Sequence, residues 1–261
     1  MIIIKNQLSI RKMEEAGKRL GAIFQHMAER IVSGVSAHEL DLWIAEQIRA
    51  SDMTSKVKGY MGYRHVSCIS INDEVVHGVP TKEKIFARGD LVKVDVCAAW
   101  NGYCADMART FFVDSVRTEE QERLVAAAQR ALYKGIEKAR PGARLSDISA
   151  AIQKEVEQCG YGVVRDFAGH GIGKQMHEDP EILNYGDPGN GPVLRPGMAF
   201  AIEPMITMGR YDVYVTDDGW TVKTRDKSLA VHVEDTVIVT EGDPRVMTIA
   251  PYCVINLDGG L

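Results

Sequence analysis

A chain of 261 residues with 45% hydrophobic content can bury a substantial core, as one large domain or two small ones. Its net charge of -5 supplies no field that would gather nucleic acid or an anionic membrane surface. The start, Met1 to Ile10, has only three consecutive isoleucines before Lys5, too short for a signal-peptide core or a membrane span, which predicts a cytoplasmic protein.

From Leu8 to Ile31 the apolar residues Leu20, Ile23, Phe24, Met27 and Ile31 follow a helical period that stops at Ser33-Gly34. Ser36 then caps a second helix running to about Ser51, with Leu40, Ile44 and Ile48 on one face. Leu91 to Val113 reads as paired strands. Two further helices, Thr118 to Lys138 and Ser146 to Gln158, flank a break at Pro141-Gly142, and strand-like runs return at Met198 to Thr207, Trp220 to Val222 and Leu229 to Thr240. Five scattered cysteines (Cys68, Cys97, Cys104, Cys159 and Cys253) lack CxxC spacing, so they are expected to be reduced and structural.

The order of elements repeats. Shifting the chain by about 108 residues sets Gly34 on Gly142, Leu40 on Ile148, Ile44 on Ile152, Ile48 on Val156, Gly89 on Gly197, Val94 on Ile202 and Asp95 on Glu203. One domain of two halves, residues 8–113 and 118–240, is the expectation, with the two carboxylates meeting near a pseudo-twofold axis.

The first chemistry lies in Lys93 to Phe111, "KVDVCAAWNGYCADMARTF". Asn101-Gly102 between alternating residues signals a hairpin, because a type I′ turn needs positive φ at both central positions. Folding there sets Trp100 opposite Tyr103, Ala99 opposite Cys104 and Cys97 opposite Asp106. Asp95 then shares a sheet face with Asp106, diagonal to it at roughly 7–8 Å. Like charges so placed need a cation, a shared proton or solvent between them. Cys97 and Cys104 could be soft ligands, but their spacing favours buried thiols.

Further ligand candidates are His170 in the glycine-rich "GHGIGKQMHEDP" (Gly169 to Pro180), Glu203 in "AFAIEPM" and Glu234 in "AVHVEDTV". A carboxylate among apolar residues must be paired or bound to metal. Four carboxylates and one imidazole suit two divalent ions bridged by carboxylate and water better than a tetrahedral zinc site.

The motifs "SCISINDEVVHGVP", "KVDV" with "YCADMARTF", "FAGHGIGKQMHEDPEILNY", "AIEP" and "DDGWTVKTRDKSLAVHVEDT", in this order and spacing, resemble the type I methionine aminopeptidases of the pita-bread metallopeptidase superfamily over essentially the full length. The resemblance implies an α+β pita-bread fold with pseudo-twofold duplicated halves and a central curved antiparallel sheet covered by two helix pairs. It implies two divalent ions (Co, Mn, Fe or Zn) on Asp95, Asp106, His170, Glu203 and Glu234. The implied activity is removal of the N-terminal methionine from nascent chains whose second residue is small, by metal-activated hydroxide, with Glu203 as proton acceptor. His177 would contact the scissile carbonyl, and His77 the scissile nitrogen or leaving amine. The glycines around His170 would let substrate pass close to the backbone. The methionine pocket would be walled by Tyr60, Tyr63, Cys68, Met176 and Trp220. The expected partners are nascent polypeptides and, transiently, the ribosome, with the enzyme a monomer.

Met176 departs from an aromatic residue common at its position. "HVEDTV" sets His232 and Asp235 beside Glu234 where type I members often read "FEHT", and "EDTV" also occurs in proline peptidases. A proline-specific peptidase, or a non-catalytic binding protein on the same scaffold, are therefore the alternatives. The first helix begins almost at once, with no room for the N-terminal domain of the proline branch, and neither a type II helical insertion nor a zinc-finger extension is expected. His26, His38 and His65 read as surface or helix residues.

Overall fold

Asn101 and Gly102 take φ of 46° and 79°, and the strands they join, Leu91–Trp100 and Tyr103–Phe112, pair in the register the turn dictates. Trp100 faces Tyr103, Ala99 faces Cys104, Cys97 faces Asp106 and Asp95 faces Ala108. The computed structural model describes residues 1–250 of the chain, and Cys253 lies outside them. Among the described residues this hairpin belongs to a nine-stranded antiparallel sheet. Cys68–Ile71 and Thr54–Ser55 pair with its first strand, and Glu234–Ile238 pairs with its second. Ala199–Ile202, Gly169–Gly171 and Glu178–Ile182 then follow in that order.

Alternation gives the sheet two unlike faces. Val92, Val94, Val96, Ala98, Ala105, Met107 and Phe111 pack beneath α1 (Gln7–Gln25) and α2 (Ala37–Ala50). Phe200, Ile202, Val237 and Val239 pack beneath α3 (Glu119–Lys138) and α4 (Leu145–Gln158). Asp95, Cys97 and Asp106 point to the opposite, concave side. This α+β architecture, a curled antiparallel sheet with four helices among the described residues, matches the expectation.

Helix boundaries follow local chemistry. The Ser36 hydroxyl accepts the Glu39 N–H at 3.2 Å, and the Glu39 carboxylate accepts the Ser36 N–H at 2.8 Å, closing a capping box. Thr118 and Gln121 do the same for α3. The first helix is shorter than the periodicity predicts. His26 and Met27 donate to Ile23 and Phe24, three residues back, which tightens the chain out of the α-helix at Gln25, and a 3₁₀ turn follows at Ala28–Arg30. Met27 and Ile31 remain buried, and that is why the apolar pattern outruns the helix.

The long strand-like runs are also divided. Pro204 has no N–H for a ladder, and the chain leaves Ala199–Ile202 for a separate three-stranded sheet at Met205–Thr207. Ala230–His232 and Glu234–Ile238 divide likewise between those sheets. In place of Trp220 to Val222 the strand is Val222–Thr224, paired with Val213–Val215.

The two helix pairs are tied to connecting segments by recurring bonds. Gly34 N–H donates to Phe86 and Phe86 N–H to Val35, as Gly142 N–H donates to Leu194 and Leu194 N–H to Ala143. Gly34 and Gly142 have φ of 89° and 87°, a left-handed conformation that glycine alone adopts freely.

In the interior of α1, Gly17 faces the chain near its end. Alanine in a helix interior ordinarily gains about 1 kcal/mol over glycine, but a Cβ here would lie 2.1 Å from the Met247 carbonyl oxygen. Gly17→Ala is therefore expected to lower unfolding free energy by about 1–3 kcal/mol, measured by urea unfolding of the metal-loaded protein. A gain in stability would contradict this packing.

Candidate metal centre

The concave face opens into a cleft of about 800 Å³, lined in part by Asp95, Asp106, His170, Glu203 and Glu234. Register explains the convergence. Asp95 and Glu234 both pair with Ala108, from opposite sides. His170 and Thr236 both pair with Ala201, and Thr236 Oγ1 accepts the Asp106 N–H at 2.9 Å. Two adjacent rows across the sheet thus carry four of the five side chains. Glu203 follows Ile202, where the strand ends and Pro204 turns the chain away.

Asp106, His170 and Glu234 offer ligand atoms within 4.8 Å of one another. His170 Nε2 is 3.6 Å from Glu203 Oε1 and 3.8 Å from Asp106 Oδ2. Its Nδ1 lies 2.9 Å from the Gly171 carbonyl; donating a proton there leaves the Nε2 lone pair facing the carboxylates. Burial, then the neighbouring His177, lowers the His170 pKa to about 3, so the ring is neutral.

The carboxyls shift the other way. Burial, then Glu203, raises Asp106 to about 7, and burial raises Glu203 to about 8. Asp95 and Glu234 are pushed well above the carboxylate range by burial and then by Asp106. Glu234 Oε1 is buried without a hydrogen-bond partner among the described residues. Acidic oxygens crowded against a neutral imidazole are a donor set that a divalent cation fits, because its charge relieves both burial and repulsion. Cys97, buried and held as a neutral thiol, is no competing ligand.

His77 and His177 also line the cleft. The His177 ring meets the His170 ring edge-on at 4.4 Å, and its Nδ1 lies 2.9 Å from the Tyr60 hydroxyl. His77 adopts φ of 57°, an uncommon conformation for a non-glycine residue, and stacks edge-on against Phe167 at 5.3 Å. Burial lowers its pKa to about 4. Tyr63, Cys68, Met176 and Trp220 gather in one apolar cluster, with Tyr63 and Trp220 rings 4.9 Å apart. Tyr60 stands outside that cluster, 40% exposed, against His177.

Two residues take places that sequence reasoning did not assign. His232 lines the cleft, 1% exposed, with Nε2 3.6 Å from Glu203 Oε2. Its position two before Glu234 in an alternating strand was the available signal. Asp235 faces away and accepts from Arg109 Nη2 at 2.7 Å, while Arg109 Nη1 donates to the Glu234 carbonyl at 2.6 Å. This departure from "FEHT" therefore holds the backbone of a candidate ligand from behind. Glycines of the His170 segment are required by packing: a Cβ on Gly169 would lie 2.4 Å from the Ala201 carbonyl oxygen, and on Gly171 2.0 Å from that of Asp179. His26 is exposed, His38 lies in α2, and His65 Nδ1 sits 3.1 Å from Asp41. Cys68, Cys97 and Cys104 are buried free thiols, and Cys159 is a half-buried one.

The chain matches the model of metallopeptidase family M24 over residues 11–241. It is 45% identical over 249 residues to a methionine aminopeptidase of Clostridium acetobutylicum, covering 95% of this chain and 99% of that one. Identity to methionine aminopeptidase 1 of Bacillus subtilis is 39% over 248 residues, covering 95% and 99%. The crystal structure of methionine aminopeptidase from Thermotoga maritima is similar at a TM-score of 0.93 and 43% identity, covering 95% and 99%. Prolidase from Pyrococcus furiosus is similar at 0.78 and 26%, covering 95% of this chain and 66% of that one.

The shifted carboxyls link stability to pH. A carboxyl raised from 3.8 to about 7, or from 4.5 to about 8, stabilises the fold below its unfolded value and loses that contribution as pH rises through the folded value. The lowered histidines lose theirs only as pH falls below 6.5. Between pH 6.5 and 8.5 chelator-treated protein is expected to lose thermal stability, and protein supplied with Mn or Co to keep it. A melting temperature independent of pH without metal would contradict the crowding of these carboxyls.

Proposed function

The chain belongs to metallopeptidase family M24, and from that premise we propose how its residues act. It is a metal-dependent aminopeptidase that removes N-terminal methionine, and neither the proline-specific nor the non-catalytic reading is favoured. We propose that the second residue of its substrates is small and that nascent polypeptides, transiently on the ribosome, are what a cytoplasmic, monomeric enzyme meets. Among the described residues no helix is long and apolar enough to cross a membrane.

Asp95, Asp106, His170, Glu203 and Glu234 would hold two divalent ions, Co, Mn, Fe or Zn, which when bound would make water nucleophilic near neutral pH and polarise the scissile carbonyl. The single observation that carries this reading is the convergence of Asp106, His170 and Glu234 ligand atoms within 4.8 Å. Glu203, beside His170 in the same cleft, accepts the proton that the attacking water gives up.

His177 supplies a hydrogen bond to the carbonyl oxygen as charge develops there. The support is its partner: the Tyr60 hydroxyl lies 2.9 Å from Nδ1, and in the tautomer where it donates there the Nε2 proton is free for substrate. His77, in the same cleft and against Phe167, contacts the scissile nitrogen and helps protonate the leaving amine. Tyr63, Cys68, Met176 and Trp220 take the methionine side chain. Sulfur and aromatic surfaces suit its thioether, and the unbranched Met176 adapts its shape to the occupant.

Release of methionine from Met-Ala-Ser is expected to vanish on chelation and return with Co or Mn, while Gly-Pro peptides stay intact. Cleavage of the proline peptide alone would move the reading to the proline branch. His177→Ala is expected to lower kcat by about 10²-fold or more while metal stoichiometry, measured by titration calorimetry, is unchanged. Parallel loss of metal would instead make His177 a ligand.

A further inference from the structure

The carboxylate directly after His177 has no place in the chemistry above, and its contacts give it one. Glu178 Oε2 accepts from Lys5 Nζ at 2.7 Å, with side chains 6% and 4% exposed respectively. Its other oxygen, Oε1, accepts the backbone N–H of Lys174 at 2.8 Å and of Gln175 at 3.3 Å. One side chain therefore closes the loop that carries Met176 and His177. Lys5 is fixed in turn: its N–H donates to the Gly197 carbonyl at 2.7 Å and its ammonium to the Ile3 carbonyl at 3.0 Å. Gly173 leaves the space the pair occupies, since a Cβ there would lie 2.6 Å from Glu178 Oε1 and 2.7 Å from Lys5 Cε. Cys104 N–H, from the hairpin that carries Asp106, binds the Gly173 carbonyl at 2.7 Å and joins the loop to the metal-centre strands.

We propose that Lys5 is a positioning residue for His177: its ion pair with Glu178 holds the loop 173–177 so that His177 stays between Tyr60 and His170. This rests on the catalytic role proposed above for His177. A buried carboxylate deprived of its ammonium partner turns toward water, and that change releases the loop amides. An imidazole displaced by about 1 Å from its working position costs up to about 10²-fold in rate.

The test uses full-length, metal-loaded enzyme carrying Lys5→Met, Lys5→Arg, His177→Ala, or Lys5→Met with His177→Ala. Lys5→Met is expected to lower kcat by about tenfold or more, to leave metal stoichiometry unchanged and to speed hydrogen exchange at the Lys174 and Gln175 amides. Lys5→Arg keeps the charge and is expected to recover most of kcat. In the His177→Ala background Lys5→Met is expected to cost nothing further, whereas a merely structural lysine would cost the same factor in both backgrounds and would overturn the proposal. If His177→Ala retained full kcat, the role of His177 itself would fail. Exchange at the two amides would then decide the latch alone, and unaltered exchange would overturn it. Should Lys5→Met not fold, Lys5→Gln, polar but uncharged, carries the same expectations.

Discussion

Four carboxyls crowded into one cleft repel each other and resist burial, and the rest of the molecule is arranged to hold them there. Asp95, Asp106, Glu203 and Glu234 are all pushed above the carboxylate range by burial, and all but Glu203 also by another member of the set. No local interaction would assemble such a group. Only a sheet whose opposite face is paid for by apolar packing can impose it, and Val92, Val94 and Val96 beneath α1 and α2 provide that packing next to Asp95.

Support from behind is polar as well as apolar. Arg109, 2% exposed, binds the Glu234 carbonyl and the Asp235 carboxylate. Thr236 binds both the N–H and the carbonyl of Asp106. These contacts fix the backbone of the acidic residues without touching their carboxyls, so the oxygens stay directed at the cleft. A cation that enters meets a site already formed, and little reorganisation opposes binding.

The histidines that face substrate depend on a different kind of support. Strands hold Asp95, Asp106 and Glu234, and Glu203 follows the last residue of one, whereas His77 and His177 sit on connecting segments. His77 is held in a left-handed backbone conformation, and His177 on a loop closed by Glu178. Loops position side chains well only when their amides are tied to rigid elements. Here that tie passes through Glu178 to Lys5, more than a hundred residues away in the chain.

Local signals were legible in the sequence because their causes are local. Asn101-Gly102 determined a turn, the turn determined the register, and the register placed Asp95 and Asp106 on one face. Ser36 marked the start of α2 as its cap, and the recurrence of Gly34 at Gly142 marked the second helix pair. Short strands such as Gly169–Gly171 were not legible, since three residues carry no period, and the end of α1 was hidden because Met27 and Ile31 stay buried beyond it. Tertiary structure alone decided that His232 faces Glu203 and that Asp235 turns to Arg109. It also decided that Glu178 meets Lys5, because each of these contacts joins segments whose approach depends on how the sheet curls. Sequence determines which groups a strand presents on each face; only the closed sheet determines what they meet.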